Sequence, residues 1–200
     1  MIVALVAVGA ASSLATAAIT AGSVSAATRP REAKETPKVL RWDVAKCNSA
    51  SCDALVVGGH ARWRSSAGAT IKFTGSGQAE TREGEAAGGG LWTRTNSSGK
   101  LVDHGVYKVS SFISWKGSGG TIGNVLDAIG NGREVRSGVL KLRIRLFGTG
   151  RGRLVLASSS GGPSVPTASH LILHTAAGKR IRYVERGRLL RGQVLFHHIG

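Results

Sequence analysis

The stretch Val139-Leu140-Lys141-Leu142-Arg143-Ile144-Arg145-Leu146-Phe147 decides how this chain folds. Leu140, Leu142, Ile144 and Leu146 alternate strictly with Lys141, Arg143, Arg145 and Phe147. Successive side chains of a β-strand point to opposite sides, so the stretch reads as a strand with one apolar face and one cationic face. Wound as a helix, the same apolar residues would be spread around the whole cylinder, leaving no side to bury.

Weaker alternation recurs on both sides of it, over residues 54–64, 70–74, 91–95, 106–116, 154–157, 170–174, 180–184 and 193–198. Between these runs lie Gly75-Ser76-Gly77, Gly88-Gly89-Gly90, Gly117-Ser118-Gly119-Gly120, Gly148-Thr149-Gly150 and Gly161-Gly162-Pro163. Glycine supplies the positive φ that tight turns require. About nine or ten strands at this spacing predict an all-β fold, an antiparallel barrel of about 8–10 strands, with a β-sandwich as the alternative. Closure favours the barrel, because it removes exposed strand edges. Only 124–129 and 167–176 offer room for a helical turn.

The order Gly59-His60-Ala61-Arg62-Trp63, Phe73-Thr74-Gly75-Ser76-Gly77, Gly88-Gly89-Gly90-Leu91-Trp92-Thr93 and His104-Gly105-Val106-Tyr107 resembles a pattern of small exported bacterial β proteins of unknown function. In that pattern a strand, a Gly-rich turn and a second strand follow, as at 138–155. Its architectural neighbours are small barrels of the lipocalin, dirigent and allene oxide cyclase kind. The resemblance covers residues 55–157; it implies a fold and carries no catalytic residue.

Residues 1–27 contain no charged side chain. Val24-Ser25-Ala26 puts small residues where signal peptidase reads them, so 1–27 is expected to be a signal peptide cleaved after Ala26 or Ala27. No Lys or Arg precedes the apolar run, so either the start codon lies upstream or the segment stays as a membrane anchor; about 20 apolar residues suffice to span a bilayer. A charged linker with Pro30 and Pro37 occupies 28–38, and a single all-β domain is expected over 39–200. The destination is secreted, periplasmic or the cell envelope. Cys47 and Cys52 are the only cysteines. In an exported chain an even pair predicts a disulfide. Four intervening residues do not suit a redox motif, and two cysteines do not make a zinc site.

Charge is the strongest functional signal. The 27 Lys+Arg outnumber the 11 Asp+Glu by 16, and over 133–200 thirteen Lys/Arg meet only Glu134 and Glu185. Guanidinium forks suit phosphate and carboxylate oxygens, so Arg143, Arg145, Arg151, Arg153, Arg180 and Arg182 are the expected anion-binding residues. The expected partner is an anionic polymer or the anionic membrane surface. Aromatic residues make up only 5% and no base-reading motif is present, which excludes sequence-specific nucleic-acid recognition from the expectations. No G-x-S-x-G, H-E-x-x-H or Walker pattern occurs, so no catalytic residue and no cofactor are assigned. His170 and His174 on one strand face would stand about 13 Å apart, too far to share a metal. The leading expectation is therefore a non-catalytic exported basic β-domain. The alternative is a calycin-like barrel holding a small apolar ligand among Trp63, Phe73, Trp92 and Tyr107, with cyclase or isomerase chemistry as a further possibility.

Overall fold

The computed structural model describes residues 39–119, 125–158, 169–184 and 193–199. The leader, the linker and the Arg186, Arg188 and Arg191 cluster lie outside the described residues. Among the described residues the strands are β1 (Val39–Cys47), β2 (Ala54–Val56), β3 (Ala61–Ser65), β4 (Thr70–Phe73), β5 (Ser76–Glu80), β6 (Glu85–Thr95), β7 (Leu101–Gly119), β8 (Leu126–Asp127), β9 (Ser137–Leu146), β10 (Gly150–Ser158), β11 (His170–Thr175), β12 (Arg180–Val184) and β13 (Gln193–Ile199), with no helix.

Eight of them close an antiparallel barrel in the order β3, β4, β6, β7, β9, β10, β11, β12. The last returns to the first through Tyr183 opposite Ser65 and Val184 opposite Arg64. The predicted barrel is the architecture found, and the strands outside it are attached at one side. β5 continues β4 along β6 in unbroken register, with Phe73 opposite Trp92 and Ser76 opposite Gly89. On its other edge the partner changes from β3 to β1. The change occurs at Thr74-Gly75. Gly75 has φ 127°, and a Cβ there would run into the Gly89 carbonyl oxygen, so no other residue fits without shifting backbone. β1 also pairs with β13 and β2, and β2 pairs with β8 in parallel.

The decisive stretch behaves as its alternation predicts. Leu140, Leu142, Ile144 and Leu146 of β9 are each at most 1% exposed, whereas Arg143, Arg145 and Phe147 are exposed. The inward residues join Trp42, Trp63, Trp92, Phe73, Leu171 and Leu173 in one core. Burial of each such aliphatic side chain is worth about 2 kcal/mol, which fixes the register of β9 whatever its outer face carries. β7, nineteen residues long, runs beside it and shifts register three times, between Val109/Ser111, Phe112/Ser114 and Gly117/Gly119. Each shift sets two residues against one and bends the strand around the barrel.

Among the described residues, neither place with room for a helical turn forms one. Within 125–129 the chain makes β8 and a bend, because Leu126 N donates to Asp53 O and Ala128 N to Leu55 O, each at 3.0 Å. At 170–175 the alternating run is β11, bonded on both edges to β10 and β12. In both places a neighbouring strand supplies the backbone partners that a helix would have found within itself.

Candidate anion-binding face

The outer side chains of β7, β9, β10, β11 and β12 form two parallel rows, set by register alone. One row reads Lys108, Arg145, Arg151, His174, Arg180 across five strands. The second reads Ser111, Arg143, Arg153, Ile172, Arg182. Neighbours within a row stand about 5 Å apart between strands, and the rows are about 7 Å apart along them. An open groove of about 820 Å³ runs between the rows. Arg143, Arg145, Arg151, Arg153 and Arg180 all line it, together with His174. Arg182 occupies the same outer face opposite Ile172 but does not line the groove. Five of the six sequence-predicted cations are thus brought to one groove.

Among the described residues, β9 to β12 carry no counter-charge. Strands β9 to β12 carry Lys141, Arg143, Arg145, Arg151, Arg153, Arg180 and Arg182 and not one Asp or Glu. Arg145 lies directly opposite Arg151, and Arg143 directly opposite Arg153. Like charges in that position destabilise a sheet. Among the described residues none of these four arginines forms an ion pair. The Arg145 guanidinium lies 5.5 Å and the Lys108 ammonium 6.0 Å from the Phe147 ring centre.

Ion pairs are found elsewhere. Arg41 meets Asp43 at 2.8 Å, and Arg94 meets Asp103 at 3.2 Å. Asp103 also accepts from the Thr149 hydroxyl at 2.9 Å, tying the β9–β10 turn to β7. Sequence reading missed one pair altogether. His197 Nε2 lies 2.6 Å from Asp127 Oδ2, with the two side chains only 2% and 1% exposed. Burial alone would raise the Asp127 carboxyl. The hydrogen bond and charge of His197, with the N–H groups of Ile129 and Gly130, outweigh it and hold the group below its ordinary value. An ionised carboxylate only accepts, so Nε2 donates. Gly130 allows the close approach, since a Cβ there would stand 3.0 Å from the imidazole. The two residues are seventy apart in sequence, and no spacing rule links them.

The disulfide expected between Cys47 and Cys52 is present, with a Cα–Cα distance of 4.7 Å. Such a bond is consistent with an oxidising compartment outside the cytoplasm. Asp53 caps its loop, accepting from Ser51 and Ser49 hydroxyls, which hold its carboxyl below the usual range. The aromatic residues Trp63, Phe73, Trp92 and Tyr107 are each 1% exposed and gather inside the barrel. Phe73 makes edge contacts to Trp63 at 5.5 Å and to Tyr107 at 4.8 Å. Burial raises the Tyr107 phenol well above its ordinary value, and its hydroxyl donates to Thr74 O at 2.9 Å. Among the described residues no group of three or more His, Cys, Asp or Glu could hold a metal ion. Compared with protein-family models, curated proteins and solved structures, the chain matches none.

Proposed function

We propose that this chain is an exported, non-catalytic β-barrel that associates, through the outer face of β9 to β12, with an anionic component of the cell envelope or its surroundings. One observation carries the reading: arginine is set directly opposite arginine across β9 and β10, with no carboxylate on any of the four strands. Each such opposition costs a few tenths of a kcal/mol that a single Glu on either strand would recover. A partner rich in phosphate or carboxylate oxygens relieves the repulsion at many points at once, and guanidinium forks engage those oxygens two at a time. Export is supported by the uncharged stretch at 1–27 and by the Cys47–Cys52 disulfide.

The test is retention on a polyphosphate-coated resin beside a neutral resin, as salt rises to about 0.15 M and beyond, where screening shortens the reach of each charge to about 8 Å. Retention should be strong at low salt and fall steeply. Retention that ignores salt, or none above the neutral resin, overturns the reading.

A second reading, a small apolar ligand held inside the barrel, is favoured by one feature. The buried indole N–H groups of Trp63 and Trp92 find no acceptor among the described residues. A ligand carrying one oxygen could supply it. Titration with the neutral dye Nile red checks this reading; unchanged tryptophan and dye fluorescence removes it.

A further inference from the structure

Three exposed apolar side chains stand in one lateral line at the end of the cationic face. Leu91 of β6 is opposite Val106 of β7, and Phe147 N donates to Val106 O at 3.1 Å. Their exposures are 60%, 47% and 44%. Single exposed apolar residues are ordinary; three in register across three chain segments make a continuous edge. Two residues further along the same segments the line becomes Gly89, Lys108 and Arg145, with Arg151 beside Arg145 on β10. The surface is therefore graded, from greasy to cationic, over about 7 Å.

The edge is held rigidly. Thr149 of the turn after Phe147 donates to Asp103, and Ala176 N donates to Thr149 O at 2.9 Å, so the β9–β10 and β11–β12 turns brace each other. A recess of about 400 Å³ opens at Phe147 and shares Arg145, Arg151 and His174 with the larger groove.

Resting on the anion-binding reading above, we propose that this edge docks on an anionic phospholipid bilayer. Leu91, Val106 and Phe147 enter the boundary between headgroups and acyl chains, while Lys108, Arg145 and Arg151 take lipid phosphates. A dissolved polyanion would use the arginines but has nothing to offer the apolar line. A bilayer surface matches both, because interfacial elements sink about 5–10 Å, the depth that puts the next row at phosphate level. Aromatic residues beside cations suit the same boundary.

The experiment compares the wild-type chain with L91S/V106S on three probes: vesicles of phosphatidylglycerol and phosphatidylcholine, vesicles of phosphatidylcholine alone, and polyphosphate. Both substituted side chains are exposed, and an unchanged thermal transition confirms the fold. Wild type should bind the anionic vesicles, leave the neutral ones, and bind polyphosphate. L91S/V106S should lose about tenfold or more on anionic vesicles, since two buried apolar side chains are forfeited, yet hold polyphosphate as before. Polyphosphate binding without vesicle binding, equal binding to neutral and anionic vesicles, or a double variant as tight as wild type on vesicles overturns the bilayer and leaves the anion-binding face standing. Wild type binding neither anionic probe overturns both.

Discussion

The flank built from β1, β8 and β13 and the outer face of β9 to β12 treat charge in opposite ways. On the flank, Arg41 sits against Asp43, and Asp127 against His197 behind two backbone N–H groups. On the β9–β12 face seven cations share four strands with no carboxylate. Both regions are built from strands of one molecule, so the contrast is not a property of β-sheets. On the function proposed above, it separates charges partnered inside the molecule from charges left for a partner outside it. The first kind contributes to folding. The second costs stability.

The largest expected effect follows from reversing the unpaired kind. Arg143→Glu together with Arg153→Glu changes four units of charge in the groove. At about 1 kcal/mol for each charge near an anionic surface, affinity for phosphatidylglycerol vesicles should fall about a thousandfold. The thermal transition should barely move, because neither side chain forms an ion pair among the described residues. An unfolded double variant would erase the distinction between the two regions.

On the flank the same operation should strike the fold instead. Asp127→Ala leaves His197 buried beside an empty acceptor, at a cost of about 3 kcal/mol, with vesicle binding unchanged in the folded fraction. The pair also predicts a pH dependence. Its carboxyl titrates lower in the folded chain than in the unfolded one. The stability it contributes is therefore present above the ordinary carboxylate range and lost as pH falls through the folded value. Acid unfolding of wild type and Asp127→Asn, followed by circular dichroism, should show that component in the first and not the second. Replacing Cys47 and Cys52 by Ser comes next, at about 2 kcal/mol for so short a loop, read as a lower midpoint in urea.

How much of this could be read from the residues differs between the two regions for the same reason. The β9–β12 face was legible because a strand's two-residue period puts Arg143 and Arg145 on one side and Ile144 on the other, whatever the rest of the chain does. The row that sets Arg145 against Arg151 was less so. It depends on how many residues the turn at Phe147-Gly148-Thr149 takes, and that count fixes the register. Asp127 and His197 were not legible at all: their meeting depends on β13 returning to β1 and on Gly130 admitting the imidazole. β8 was not legible for a related reason, since its partners come from the disulfide arm at Asp53 and Leu55. Local period survives in a sequence; long-range pairing does not.

The smallest expected change in stability separates the two kinds of charge by its sign. Arg153→Glu alone puts a carboxylate directly opposite Arg143. That removes one like-charge opposition and creates one attractive pair across the strands, a gain of about 0.5 kcal/mol that added salt should shrink. The same substitution takes two units of charge from the groove, and vesicle affinity should drop about thirtyfold. A variant that is more stable and binds worse is what a face held in reserve for an outside partner must produce. If Arg153→Glu instead lowered the urea midpoint, Arg153 would have an internal partner, and the β9–β12 face would belong with the flank.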